Sequence, residues 1–328
     1  MSLRVHVARA ESSSLAPASP AVIDATLKSG LWRTRSLSLL SKFRSSRLAD
    51  YFCLIKPEVT FLVLIAAALG SYMAATSLSL VLLLNLVWGT GLIAAGTATL
   101  NHYLERSYDG QMRRTANRPL PAGRLTPGQV LRFGLFLSFS GGIYLALFVN
   151  ILTSLLGIAT LLAYLLIYTP LKRRTSWATF IGAFPGAAPV LMGWAAVRNS
   201  LSGEAWVLYA ILFLWQFPHF LAIAWIYRED YQRAGMRMLP DEDSNGNIAF
   251  RQILGYTLAL VPVSLLPSIL GMTGNLYFYS ALLLGMAFVY FCYQASLLRS
   301  KLQARVLLHV SVIYLPVIYA VMVLDKTV

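Results

Sequence analysis

The sequence predicts an all-α, polytopic membrane protein with about nine transmembrane helices. Hydrophobic residues make up 57% of the chain and charged residues only 12%, whereas about a quarter of the residues of a soluble domain are charged. The mean hydropathy is +0.64. Most of the chain is therefore expected to contact lipid or other apolar helices.

Nine apolar stretches approach the roughly 20 residues that a helix needs to cross a bilayer. In chain order, the predicted spans are 58–76, 79–100, 127–149, 151–169, 178–197, 205–227, 250–271, 275–296 and 306–324. Short turns separate the first from the second, the third from the fourth and the seventh from the eighth. Polar or basic connections follow every even-numbered span, so the connections alternate in character.

Basic residues are concentrated on one predicted side of the membrane. The odd-numbered connections and the C-terminal tail carry only Arg198 and Lys326, and the other Lys and Arg residues lie in the N-terminal segment or in and beside the even-numbered connections. The positive-inside rule therefore places the N-terminus in the cytoplasm, at a bacterial inner membrane, or in the matrix if the membrane is the mitochondrial inner one. This distribution explains the net charge of +14, and no nucleic acid partner is predicted.

Residues 1–50 are predicted to form a flexible basic extension before a transmembrane domain at 51–328. The extension is rich in serine and arginine and has no apolar core of the kind that a secretory signal requires. A mitochondrial transit peptide is the alternative, and the acidic residues Glu11, Asp24 and Asp50 argue against it.

Three other features are predicted to be structural. Cys53 and Cys292 are too few for a disulfide framework and are expected to be buried free thiols. The Gly182-x-x-x-Gly186 spacing, with its two prolines, predicts close helix packing or a broken helix. The acidic run 241–243 is typical of a hydrophilic loop.

A polar stripe continues the second span. Residues 101–124 read NHYLERSYDGQMRRTANRPLPAGR, in which Asn101, Glu105 and Asp109 follow at four-residue steps. Each such step turns an α-helix by about 40°, so the three side chains share one face. Mg²⁺ prefers hard oxygen ligands and is often shared with substrate phosphates, so the stripe predicts a Mg²⁺ site.

Two further connections place acids and bases on the same side of the membrane. The sixth span is followed by the adjacent acids Glu229 and Asp230, and the fourth span ends in a KRR cluster. The expected ligands of a diphosphate on a lipid tail are Arg113, Arg114, Arg118, Tyr168, Lys172, Arg173 and Arg228. For KRR alone, an anchor that sets membrane orientation is the competing explanation.

Three segments carry a family resemblance: NHYLERSYDGQMRRTANRPLPAGR, YTPLKRRTS followed by GAFPGAAPVLMGW, and WQFPHFLAIAWIYREDYQRAGMRMLP. Over residues 50–324 the chain resembles the intramembrane aromatic prenyltransferase superfamily, and within it the protoheme IX farnesyltransferase (haem O synthase) family. One departure is that many members carry a second acid pair as Asp-x-x-x-Asp, whereas Glu229 and Asp230 are adjacent. Which of the two reaches the metal is left open.

The resemblance implies a fold and a reaction. Nine transmembrane helices are expected to surround a central cavity in the lipid bilayer. Mg²⁺-dependent ionisation of farnesyl diphosphate is expected to transfer the farnesyl group to a vinyl group of haem B, with water added and diphosphate lost. A haem A synthase or a terminal oxidase assembly is the expected recipient of the product.

Two histidines are candidate haem-binding residues. His102 lies beside Asn101, and His219 lies in the sixth span two to three helical turns before Glu229. Ionisable residues inside a membrane are costly and usually functional, and haem iron takes axial ligands. A structural hydrogen bond to a neighbouring helix is the alternative for each.

Three other functions compete with haem farnesylation as explanations of these features. A relative that prenylates an aromatic quinone precursor would share the acid stripe. A secondary transporter would place charged sites near the bilayer midplane, often within repeats. An assembly factor without activity would not need the stripe.

Overall fold

The computed structural model describes residues 46–77, 79–240 and 243–327. The chain divides into two units, Met1–Ala49 and Asp50–Val328, and the fold is that of the second unit. Nearly all of the extension predicted at residues 1–50 lies outside the described residues, so its boundary and character stay predictions.

Nine helices in the described part of the chain are long and apolar enough to cross a membrane, which confirms the predicted number of spans. Two short helices flank them, α1 (Arg47–Leu54) and α9 (Arg228–Arg233). The spans are α2 (Pro57–Ala74), α3 (Leu80–Asp109), α4 (Pro127–Phe148), the composite span Ile151–Leu171, α7 (Ala178–Arg198), α8 (Gly203–Ile226), α10 (Asn247–Ile269), α11 (Asn275–Leu298) and α12 (Lys301–Leu324).

The composite span contains a π-helical turn that the sequence did not predict. Its parts are α5 (Ile151–Leu162), the π segment Ala163–Tyr168 and α6 (Thr169–Leu171). Pro170 has no N–H group and therefore cannot continue the α-helical hydrogen bonding to Leu166. The Thr169 N–H and hydroxyl both bond the Tyr164 carbonyl instead, the hydroxyl at 2.9 Å. Such turns add one residue to a helix and are common at functional sites.

The helices α7 and α8 form the centre of the bundle and are the most buried of the nine. Close approach of α2 to α7 depends on Gly70 and Gly193, because a Cβ at either position would collide with a backbone carbonyl of the other helix. Outward-facing positions on the remaining spans carry exposed side chains such as Leu84, Phe136 and Leu283. This distribution suits a protein whose outer surface contacts lipid.

The predicted role of the two glycines in α7 is resolved in favour of close packing. A Cβ at Gly182 would lie 2.5 Å from the ring of Tyr168, and one at Gly186 would collide with the side chain of Gln216 on α8. The helix is continuous through Pro185 and Pro189, so it is not broken. Gly182 thereby makes room for a tyrosine that belongs to the predicted site.

The polar connections meet at the end of the bundle where α3, α6 and α8 terminate. The backbone N–H of Arg237 donates to the carbonyl oxygen of Lys172 at 2.6 Å. Met112, Ala224 and Met236 are buried in one apolar cluster at this end. The three connections that the sequence assigned to one side of the membrane are therefore in contact.

Two of the structural predictions need correction. Cys53 is exposed, because the buried residues of its helix, α1, are Asp50 and Leu54, whereas Cys292 is buried as expected. Asp243 is not an ordinary loop residue: it is buried, and its carboxylate accepts hydrogen bonds from the N–H groups of Ile248 and Ala249 at 2.9 and 2.7 Å. It caps the start of α10, where helix N–H groups have no intrahelical partner. Its neighbours at 241 and 242 lie outside the described residues.

We expect the ends of this bundle to face opposite sides of the membrane. Gly110 follows α3 on the basic side, and Ser200 follows α7 on the other. In a Cys53→Ser background, Gly110→Cys should react with a membrane-impermeant thiol reagent only from the cytoplasmic side and Ser200→Cys only from the opposite side. Labelling of both positions from one side would contradict the nine-span topology.

Candidate active site

The polar stripe lies on one buried face of α3, as its spacing predicts. The residues Asn101, Glu105 and Asp109 are 0%, 6% and 0% exposed. A carboxylate out of water is costly unless an opposite charge and hydrogen bonds compensate it. The structure supplies both for each of the two acids.

Three cations contact the stripe, one for each of its members. Lys172 Nζ lies 2.7 Å from Glu105 Oε1, and one Arg118 guanidinium nitrogen donates to both Asp109 carboxylate oxygens at 2.8 Å. Lys56 Nζ donates to Asn101 Oδ1 at 2.8 Å. Both carboxylates of the stripe are therefore held in ion pairs, and the stripe is not a solvated helix end.

The two lysines differ in the charge of their partners. Burial lowers the pKa of Lys56 to about 7, and the nearby Arg118 lowers it as well. Burial acts against the charged form of Lys172 too, but the attraction of Glu105 outweighs it and raises the pKa of Lys172 well above its usual value. Lys172 is thus held as an ammonium by a carboxylate, whereas the amide oxygen beside Lys56 carries no charge.

Hydrogen bonds and aromatic rings fix the residues around these pairs. Asn101 Nδ2 donates to Thr169 Oγ1 at 3.3 Å, just after the π turn. Lys172 Nζ lies 4.5 Å from the centre of the Tyr168 ring. Arg173 donates to the hydroxyl of Tyr108 at 2.7 Å, which joins the KRR cluster to α3.

Among the residues that the structure describes, the remaining arginines predicted to bind diphosphate, Arg113, Arg114 and Arg228, form no ion pair with the stripe. Arg114 lies over the ring of Tyr227, 5.1 Å from its centre, and donates to the Tyr231 hydroxyl at 3.5 Å. Arg113 is exposed. Arg228 lies over the Trp225 ring at 4.3 Å and lines a separate cavity of about 220 Å³.

A cavity of about 500 Å³ adjoins the stripe. Its lining combines polar with apolar residues: Glu105, Tyr108, Thr169, Arg173, Arg174, and Leu104, Leu165, Leu166, Pro170, Met236. Such a space suits a ligand with an anionic head and a hydrocarbon tail.

The second acid pair is not arranged like the stripe. Glu229 has a side chain that is 65% exposed and lies 2.7 Å from Lys301 of α12. Asp230 is more enclosed, with 13% of its side chain exposed, and pairs with Arg233 of the same helix. Asp230 is therefore the more enclosed of the two acids, and its ion pair lies within one short helix.

The two histidines have different surroundings. His102 is 2% exposed, and neither ring nitrogen has a hydrogen-bond partner in the described part of the chain. His219 is partly buried, and its Nδ1 lies 2.9 Å from Ser311 Oγ on α12. Its ring stacks on Trp215 with the ring centres 4.8 Å apart. The structural hydrogen bond weighed for His219 is therefore present, and it uses one of the two nitrogens.

The donor set of the stripe fits a magnesium ion. No group of three His, Cys, Asp or Glu side chains gathers within the described ranges, so an all-protein metal cage is not formed there. Mg²⁺ usually binds through one or two carboxylates and completes its coordination with water and substrate phosphates. Two buried carboxylates and one amide oxygen on a single helix face meet that requirement.

Sequence reasoning missed several residues of this site. Lys56, Tyr108 and Thr169 contact the stripe or its partners, yet none was predicted. Lys56 looked like one more basic residue next to a span, and only its position directly before a proline at the start of a helix distinguished it. Its contact with Asn101 joins residues 45 positions apart, which periodicity within one helix does not reveal.

The sequence profile of the UbiA prenyltransferase family matches residues 62–313. Among known proteins, the chain is 50% identical over 287 residues to a protoheme IX farnesyltransferase of Solibacter usitatus, an alignment that covers 84% of this chain and 98% of the relative. It is 42% identical to a protoheme IX farnesyltransferase of Koribacter versatilis, covering 87% and 95% of the two chains.

Solved structures share the fold at low sequence identity. A digeranylgeranylglyceryl phosphate synthase superposes with a TM-score of 0.71 at 18% identity, covering 85% of this chain and 98% of that one. A UbiA homologue from Archaeoglobus fulgidus, solved with DMAPP and Mg²⁺, superposes with a TM-score of 0.59 at 12% identity and covers 83% and 99%.

Proposed function

Because this chain belongs to the UbiA prenyltransferase family, we propose that it transfers the farnesyl group of farnesyl diphosphate to a vinyl group of haem B, giving haem O and diphosphate. The names of the Solibacter and Koribacter relatives support this substrate pair. The family membership makes the chain a prenyltransferase.

The observation that carries the proposal is the cavity beside the stripe. Glu105 and Arg173 line it together with Leu104 and Leu166, so charged and apolar surfaces face one space. A prenyl diphosphate has the same division, with an anionic head and a hydrocarbon tail. The head would lie towards the stripe and the tail among the leucines.

The proposed reaction begins with the breaking of the bond between the farnesyl carbon and the diphosphate oxygen. Diphosphate leaves with the electron pair, and Lys172, Arg173 and Arg118 stabilise the negative charge as it develops. The allylic cation then adds to the vinyl group, and water supplies the hydroxyl group while one proton is released. The leucines exclude other water from the cation.

A bound Mg²⁺ would neutralise part of the charge on the departing diphosphate. We propose that Asn101, Glu105 and Asp109 hold it, with Asp230 as a further ligand from the second polar connection. We propose that Glu229, which is exposed and paired with Lys301, orients Asp230.

The test is to incubate the purified protein with haem B, farnesyl diphosphate and Mg²⁺, and to identify the haem product by mass. Parallel reactions should contain EDTA, or an aromatic quinone precursor in place of haem B. We expect haem O only in the complete mixture. Prenylation of the quinone precursor but not of haem B would contradict the assigned acceptor and leave the prenyltransferase chemistry intact.

We expect Lys172→Met and Arg173→Ala to raise the concentration of farnesyl diphosphate needed for half-maximal rate. A charge-assisted contact to phosphate contributes on the order of 1.5–3 kcal/mol, or roughly ten- to a hundredfold in affinity. Arg132→Ala is the matched control, since Arg132 lies on the same side of the bundle and, among the described residues, bonds only its own helix, at the Gly128 carbonyl. An unchanged dependence in both site variants would make the cluster an orientation anchor.

We also propose a location and a recipient. The basic side of the bundle faces the cytoplasm at a bacterial inner membrane, and the product passes to a haem A synthase or a terminal oxidase assembly. The distribution of Lys and Arg supports the orientation.

A further inference from the structure

Lys56 occupies a backbone position that favours glycine. It lies between α1 and α2 with φ 45° and ψ 66°, in the left-handed region. This region is disfavoured for residues with a Cβ, and the residue before a proline is restricted further. Pro57 follows directly. The conformation of the turn therefore does not explain why a lysine, and not a glycine, occupies this position.

Five of the six other left-handed positions in the described part of the chain hold residues of the expected kind. Four are glycines, at positions 123, 235, 246 and 271, and one is Asn199. Asparagine adopts this conformation more readily than most residues. Within residues 46–77, 79–240 and 243–327, only Lys56 and Arg299 combine this conformation with a long basic side chain. Strained backbone that persists is most often found at functional sites.

The side chain of Lys56 extends to the stripe, where it adds a third cation to two carboxylates. Lys172 and Arg118 are each paired with a carboxylate, Glu105 and Asp109. In the described part of the chain, the ammonium of Lys56 bonds only the amide oxygen of Asn101. Three cations thus face two anions at the stripe, and of these three Lys56 is the one that has no anionic partner among the described residues.

We propose that Lys56 is a diphosphate-binding residue, and that its ammonium pairs with a phosphate oxygen of the prenyl diphosphate substrate. The inference rests on the proposed function, because it takes a prenyl diphosphate as the ligand. An anionic headgroup beside Asn101 would give the Lys56 ammonium the negatively charged partner that Asn101 does not provide. Release of the contact with Asn101 Oδ1 also frees that oxygen for the metal.

The test measures binding without turnover. Full-length protein in lipid nanodiscs is titrated with farnesyl thiolodiphosphate, an unreactive analogue, in the presence of Mg²⁺ and without haem, and Kd is obtained by calorimetry. Lys56→Met removes the charge and keeps most of the chain length. Lys56→Gly removes the charge while relieving the backbone, so it should fold even if the methionine variant does not. Lys56→Arg keeps the charge.

A matched control separates the backbone from the charge. Arg299 has the same φ of 45° at the end of α11, so Arg299→Gly relieves the same conformation away from the stripe. We expect a rise in Kd of about tenfold or more for Lys56→Met and Lys56→Gly. Lys56→Arg should stay within a few-fold of the parent, and Arg299→Gly should bind as the parent does.

Two outcomes would overturn the inference, and they differ from each other. If the parent protein binds the analogue and both uncharged Lys56 variants bind it equally well, Lys56 is not a diphosphate ligand, and the proposed reaction is unaffected. If the parent protein does not bind the analogue, the diphosphate substrate itself is wrong and both proposals fall. Failure to convert haem B leaves the binding result valid, because no haem is present.

Discussion

Asp109→Asn should lower the turnover of farnesyl diphosphate by on the order of 10²–10³-fold. Asp109 is fully buried, and both of its carboxylate oxygens accept from Arg118 at 2.8 Å. The substitution removes the negative charge that neutralises the Arg118 guanidinium and that a bound Mg²⁺ would require. Steady-state rates with haem B as acceptor measure the loss, and Glu204→Gln, at the opposite end of the bundle, is the control.

The same substitution is expected to destabilise the fold, because it leaves the partly buried Arg118 beside a neutral partner. Breaking a buried ion pair costs about 3–5 kcal/mol, whereas removing both charges can be nearly neutral. The double variant Asp109→Asn/Arg118→Gln should therefore regain thermal stability and remain inactive. Recovery of activity in the double variant would show that the pair is structural, and that Asp109 is not a metal ligand.

His219→Ala should weaken haem binding and change the Soret spectrum of the bound haem, while farnesyl diphosphate binding is preserved. The hydroxyl group of Ser311 donates its one hydrogen to the Leu308 carbonyl at 2.7 Å. Ser311 Oγ therefore accepts from His219 Nδ1, which lies 2.9 Å away. Nδ1 carries the proton, and Nε2 presents a lone pair, as an axial ligand of haem iron must.

Ser311→Ala tests the tautomer, because it removes the acceptor but keeps the imidazole. Loss of a partner that orients a metal ligand typically costs 10–100-fold in affinity, and His219→Ala should cost at least as much. His309→Ala is the control, an exposed histidine on the same helix as Ser311. His102→Ala should lower activity through the geometry around Asn101. Unaltered haem spectra and affinity in the His219 and His102 variants would mean that haem is held by packing and its propionates.

The fold could be predicted from the sequence because two local signals dominate it. A membrane span requires a long apolar stretch, and nine are present whatever their neighbours. The stripe is equally local, since Asn101, Glu105 and Asp109 belong to one helix and its periodicity sets their common face. Neither prediction requires knowledge of how the helices pack.

The partners of the stripe could not be predicted, because they depend on contacts between distant segments. Lys172 meets Glu105 from 67 residues away, and the sequence assigned it to diphosphate alone. Residues adjacent in sequence can also have different partners, since Glu229 pairs with Lys301 of α12 while Asp230 pairs with Arg233 of its own helix. A sequence shows which charges share a side of the membrane, and packing decides which of them touch.

The π turn at Ala163–Tyr168 determines where in this span the number of residues can change. Such a turn holds one residue more than a turn of α-helix, so deleting one residue there would leave a regular α-helix with the same number of turns. Lys172 would then stay beside Glu105. A deletion in α5 would instead rotate the residues after it by about 100°, and Lys172 would leave Glu105 although no side chain of the site had been replaced. The π turn is thus the part of this span in which a change in chain length is best tolerated.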